Sequence, residues 1–148
     1  MKFTKLIVSL LLTAVMLVAV GCSAAPAGEE DVTGLKIGIV TSSGVDDGSF
    51  NEDCYKGIQS FIAENPGSTV NHVKEPDLDK MIPAVADIIA DYDVVVLPGF
   101  QFAAIGTLAA ENPEKKLILV DTAPTDAEGN QVEMENVYSM VFAEQESG

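Results

Sequence analysis

From residue 35 onward, short apolar runs alternate with longer segments of helical period. LKIGIVT (35–41), TVNHVKE (69–75), DVVVLPG (93–99), KLILVD (116–121) and NVYSMVF (136–142) are short and mostly rich in Val, Ile and Leu, as strands are. DVVVLPG has no polar residue between Asp93 and Gly99, the mark of a strand covered on both faces of a parallel sheet. Between these runs, SFNEDCYKGIQSFIAEN (49–65) repeats Phe50, Cys54, Ile58, Phe61 and Ile62 on one helical face. Ser49 and Glu52 stand at capping-box spacing, and Asn65-Pro66-Gly67 ends the segment. A second helix is expected over 79–91, where Pro83 is tolerable only in the first turn, and a third over 101–112. This rhythm predicts βαβ units, hence an α/β fold with a parallel sheet flanked by helices.

In open α/β sheets, ligands lie beyond the carboxyl ends of the strands. The chain places polar and special residues there: Ser42 to Asn51, Pro98 to Phe102 and Asp121 to Asp126. Three strand ends are therefore expected to converge on one rim.

The residues before the first strand carry a different message. Lys2 and Lys5 precede the apolar run LIVSLLLTAVMLVAV (6–20), and AVGC follows it, the form of a lipobox that leaves Cys22 as the first mature residue. The alternative is an uncleaved anchor, which stays open because the run is only slightly short of the roughly 17 to 25 residues that span a bilayer. We read residues 1–21 as a lipoprotein signal peptide and 22–34 as a flexible Ala/Pro/Gly tether. Lipid on Cys22 would hold the protein on the extracytoplasmic face of the cell membrane.

Charge narrows the ligand. The chain has 8 Lys+Arg and 23 Asp+Glu, and removing Lys2 and Lys5 with the leader gives 6 − 23 = −17. Nucleic acid is excluded as a partner by that sign. There is no arginine, so the bidentate clamp for phosphate or carboxylate is missing and an uncharged or cationic ligand is favoured. With Cys22 assigned to lipid, Cys54 has no disulfide partner, and His72 is the sole histidine. No HExxH or paired CxxC occurs, so no metal and no cofactor are expected. No GxSxG occurs either, and His72 lies far in sequence from a candidate serine, so no catalytic residue is assigned.

The turn SSGVDDGSFNEDCYKG (42–57) carries the most chemistry. A phosphate cradle is disfavoured, because Asp46 and Asp47 would each repel the anion by about 1 to 4 kcal/mol. Carboxylates at a helix start suit the vicinal hydroxyls of a sugar, and a flanking Phe offers a face to a planar ring. Equally, an Asp before a helix caps its N–H groups and complements its dipole for ~0.3 to 2 kcal/mol with no ligand at all. Phe50 likewise reads as either a core residue or a platform.

VDDGSFNEDCYKGI (45–58), LPGF (97–100), ENPEKKLILVDTAPTD (111–126) and the terminal VFAEQESG resemble the basic membrane protein family of substrate-binding lipoproteins. Its best-understood members are purine nucleoside receptors of ABC importers. The resemblance runs from Leu35 to Gly148 and implies a type I periplasmic-binding-protein-like fold, with 35–148 as a partial N-terminal lobe and the second lobe missing. It implies a nucleoside held in a cleft and handed to a permease energised by an ATPase. It assigns Phe50 to stacking on the base and Asp121 to a ligand contact, with Asp47, Asn51, Gly99 and Phe100 lining the cleft. Ser42 and Ser43, with Gly44, stand where the nucleoside receptors commonly carry an Asp and one more residue before the Asp pair, and are expected to line the same site. The chain also stops where the family continues into a helix, a hinge and another lobe, which implies a partial sequence. The expected function is nucleoside capture for import without catalysis; the alternative is a membrane-tethered sensory or regulatory module on the same fold.

Overall fold

The computed structural model of the protein describes residues 34–143. Cys22, the leader and nearly all of the tether lie outside the described residues. Five strands form one parallel sheet: β1 (Lys36–Thr41), β2 (Thr69–Lys74), β3 (Val94–Pro98), β4 (Lys116–Val120) and β5 (Val137–Met140), in the spatial order β2-β1-β3-β4-β5. Helix α1 (Phe50–Glu64) joins β1 to β2. Helix α2 (Met81–Ile88), flanked by the single 3-10 turns Leu78–Lys80 and Ile89–Asp91, joins β2 to β3. A 3-10 segment (Phe100–Ile105) and helix α3 (Gly106–Glu111) follow β3.

The apolar runs become strands because both faces of the sheet are covered. On one face, Ile37, Ile39, Val96 and Val120 pack with Ile58 of α1. On the other, Val40, Val95, Leu97, Leu117 and Leu119 meet Met81 and Val85 of α2 and Phe102, Ile105 and Ala109 beyond β3. The right-handed crossover rule explains this division, since a connection stepping from β1 to β2 and one stepping back to β3 must use opposite faces. Gly38 has a specific reason to lack a side chain: a Cβ there would stand 3.1 Å from the Tyr92 ring. The Tyr92 hydroxyl in turn accepts from Asn71 Nδ2 on β2 at 2.6 Å.

The expected elements are present with three corrections. Residues 79–91 are not one helix but a short α-helix between 3-10 turns, and Pro83 falls within the first turn of α2, where its missing N–H costs nothing. The helix expected over 101–112 is broken near Ala104 (φ −72°, ψ 15°), with 3-10 geometry before it and α geometry after. The Ser49 side chain makes no capping bond, so the Ser49–Glu52 capping box does not form. Glu52 instead accepts from Gly48 N at 2.7 Å, and Asp47 Oδ1 accepts from the Ser49 and Glu52 amides at 3.0 and 3.3 Å. Asp47 reaches the helix start first, and the serine hydroxyl is left over.

Among the described residues α1 is the helix on its face, and an apolar groove of about 610 Å³ runs beside it. Phe50, Cys54, Phe61, Val120, Met140 and Phe142 are among its walls, and Asp53 is the one charged residue there among those described. No helix among the described residues is long and apolar enough to cross a membrane.

Candidate functional site

The strand order changes direction between β1 and β3, and the carboxyl ends of β1, β3 and β4 are neighbours on one edge of the sheet. Turns 42–49, 99–100 and 121–126 follow those ends, so the three predicted strand ends do share a rim. A crevice at such a switch point is where α/β sheets receive ligands.

The first turn is held by a dense hydrogen-bond set. Asn51, 8 % exposed, directs Nδ2 to Ser43 Oγ at 2.7 Å and to Asp47 Oδ2 at 3.1 Å. Ser43 Oγ donates to Asp47 Oδ2 at 3.0 Å. Both amide protons of Asn51 are thus spent within the turn, and its carbonyl oxygen is the atom free to meet a solute. Asp47 is solvent-exposed. Some desolvation pushes its carboxyl up, but the bonds from Ser43, Ser49, Glu52 and Asn51 together outweigh that and hold it below its ordinary value. Asp47 therefore stays ionised under all physiological conditions, as an acceptor at the helix start. Ser42 is half-buried beside this network, and Asp46 is exposed, its carboxylate occupying the space a Cβ on Gly44 would need.

The second turn depends on Gly99, whose φ of 106° and ψ of 161° belong to a region only glycine adopts without strain. Its N–H donates to Val120 O at 2.8 Å, tying the ends of β3 and β4 together. Phe100 follows, 73 % exposed, a large apolar side chain that folding leaves in water. The third turn begins at Asp121, which is half-buried and the one non-glycine residue with positive φ (70°) among those described. Asp is among the few residues that visit this conformation readily, and such outliers concentrate at functional sites. The Asp121 N–H donates to Met140 O at 2.7 Å.

The third turn is locked onto the helix after β3. Thr125 donates from its N–H and its hydroxyl to Ala103 O at 2.7 and 3.2 Å, and a Cβ on Gly106 would collide with the Thr125 carbonyl. The second and third turns are thus tied to each other, while the first is held by its own hydrogen bonds, and Asp47, Phe100 and Asp121 stand on these three turns. Phe50 opens α1 at the same end of the sheet, 38 % exposed, and lines the apolar groove. Among the described residues no group of three His, Cys, Asp or Glu side chains is placed to hold a metal ion.

The family model described as "Bmp: ABC transporter substrate-binding protein PnrA-like" matches residues 35–148. The chain belongs to this family. Solved structures agree with that membership. An ABC transporter system solute-binding protein from Aeropyrum pernix K1 is 27 % identical with a TM-score of 0.65, over 76 % of this chain and 30 % of that one. A solute-binding protein from Conexibacter woesei DSM 14684 shares the fold at 23 % identity and a TM-score of 0.55, over 71 % of this chain and 34 % of that one. A putative lipoprotein fragment from Peptoclostridium difficile 630 shares it at 16 % identity and a TM-score of 0.59, over 76 % of this chain and 88 % of that one. The chain thus spans about a third of the length of the two solute-binding proteins it matches. The fold is that of a lobe of these periplasmic-binding-protein-like receptors, as the resemblance implied.

Two residues outside the expected site join the first turn: Thr41, and His72, which the sequence offered only for metal or catalytic roles. The Thr41 hydroxyl lies 2.6 Å from both His72 Nε2 and the Ser43 carbonyl. Nothing local in TVNHVKE signals this, because the pairing runs diagonally between strands whose order only the folded sheet sets.

Proposed function

We propose that the chain is the N-terminal lobe of an extracytoplasmic lipoprotein, anchored through Cys22, that captures a nucleoside and hands it to an ABC permease and its ATPase. A purine nucleoside is the leading candidate. The observation that carries the reading is the composition of the rim at the β1/β3 switch point. The exposed aromatics Phe50 and Phe100, the acceptors Asp47, Asn51 and Asp121, and Ser42, Ser43 and Gly99 all stand on or beside the turns at this one end of the sheet. Rings give a base a stacking surface worth about 1 to 3 kcal/mol per base. Ionised carboxylates accept from ribose hydroxyls, and the missing arginine suits a ligand without phosphate.

The test is a thermal-shift panel of purine and pyrimidine nucleosides on the mature, untagged full-length protein. A ligand at 100 times its Kd stabilises by about 2.7 kcal/mol, and no shift with any nucleoside would defeat the assignment. Phe50→Ala should weaken binding at least about tenfold with the fold intact, as loss of a stacked base predicts. Cys22→Ser should release the protein from membranes and abolish fatty-acid labelling; retention at the membrane would point to an uncleaved helix.

A further inference from the structure

The edge strand β2 reaches the rim through one side chain. His72 pairs in register with Ile39, and like Ile39 and Thr41 it faces the α1 side of the sheet. Its Nε2 stands 2.6 Å from the Thr41 hydroxyl, and the fully buried Thr41 places that hydroxyl 2.6 Å from the Ser43 carbonyl. A hydroxyl carries one proton, and a carbonyl can only accept. Thr41 therefore donates to Ser43 O and accepts from His72, which requires the proton on Nε2. The Ser43 hydroxyl then donates to Asp47 and accepts from Asn51, so every group along the path has a defined role.

We propose that His72 is a positioning residue for the ligand turn. Its Nε2–H, relayed through Thr41 and Ser43, holds residues 43–51 in the conformation that presents Asp47 and Asn51 on the rim. The ligand half of this inference rests on the proposed function; the relay itself does not. Burial, and then the neighbouring Lys74, hold the imidazole below its ordinary pKa, against weaker opposing effects of the Ser43 carbonyl and Asp46. Lys74 on β2 and Asp46 on the turn are the charged groups around it, and α1 contributes Tyr55 to the apolar layer on this face. The ring is therefore neutral at pH 7, and one nitrogen carries the proton.

The experiment uses the full-length protein and three variants, His72→Leu, His72→Gln and Thr41→Val, followed by NMR. At pH 7.5 the imidazole ¹⁵N shifts should show a protonated Nε2 and a bare Nδ1; the opposite tautomer overturns the relay. The Ser49 and Glu52 amides, both donors to Asp47, report the turn. His72→Leu and Thr41→Val should each speed their exchange by about 2- to 10-fold, the size of one net hydrogen bond, relative to Ile58 and Ile62 in the same helix. His72→Gln, which keeps an N–H donor, should restore most of the protection. Unchanged exchange in His72→Leu, or an equal rise throughout α1 and β3, overturns the proposal. With inosine as probe, His72→Leu should raise Kd by a similar factor and His72→Gln should not. If the unmodified protein binds no nucleoside, the proposed function fails, and the relay is still judged on tautomer and exchange.

Discussion

Replacing Asn51 by alanine isolates what the first turn contributes to the fold. The substitution removes Nδ2 bonds of 2.7 Å to Ser43 Oγ and 3.1 Å to Asp47 Oδ2 from a residue that is 8 % exposed. A neutral bond is worth about 0.5 to 1.5 kcal/mol net and a bond to a charged acceptor about 1.5 to 3. Asp47 is open to water, which can replace part of the lost donor, so the lower ends apply and the sum is about 2 kcal/mol. For a domain of this size that corresponds to a fall in Tm of roughly 6 to 12 °C. Urea denaturation of the protein and of Asn51→Ala measures the total, which also contains lost packing. A double-mutant cycle with Asp47→Ala removes that background and should leave a measurable favourable coupling between the two residues. A total below about 0.5 kcal/mol, or no coupling, would refute the claim that this pair holds the turn.

Three further outcomes follow from the structure. Gly106→Ala drives a methyl into the Thr125 carbonyl, so it should destabilise by about 1 to 3 kcal/mol in thermal melts and loosen the third turn; a neutral result would mean that the loop does not press on α3. Burial, then the charges of Asp53 and Asp47, push the Cys54 thiol above its ordinary value of 9.0, so iodoacetamide should alkylate it at pH 8 more slowly than a free cysteine peptide, and faster labelling would contradict its placement. His72 has a folded pKa below its ordinary 6.5, so its contribution is fully present above that value and is lost as pH falls through the folded value. Melting temperature should accordingly drop between pH 7 and 5.5 by more in the unmodified protein than in His72→Gln, and equal slopes would contradict a half-buried neutral imidazole.

The sequence by itself determined the architecture, because the signals involved are local and repetitive. DVVVLPG and KLILVD carry no polar interruption within the strand, and that pattern has few outcomes other than a strand buried on both faces. Alternation with helical segments then made the sheet parallel, and parallel connections place the loops after β1, β3 and β4 on one edge. The family was legible for the same reason, since its motifs lie on those loops. Helix boundaries were legible less well: α2 is flanked by 3-10 turns at 78–80 and 89–91, and the segment after β3 breaks near Ala104, changes that periodicity does not register.

What only the tertiary structure decided is the use of each polar group on the rim. Asp47, not Ser49, caps α1, because the chain's path at Gly48 brings that carboxylate to the free amides before the hydroxyl arrives. Asn51 spends its protons inside the turn, and Asp121 takes a left-handed backbone that the letters KLILVD do not announce. His72 is the clearest case. A lone histidine in a strand has no assigned partner until the sheet order brings β2 beside β1 and sets Thr41 diagonally across from it. Hydrophobic patterning selects layers and strand order, but hydrogen bonds act over about 3 Å, and only the folded chain sets distances on that scale.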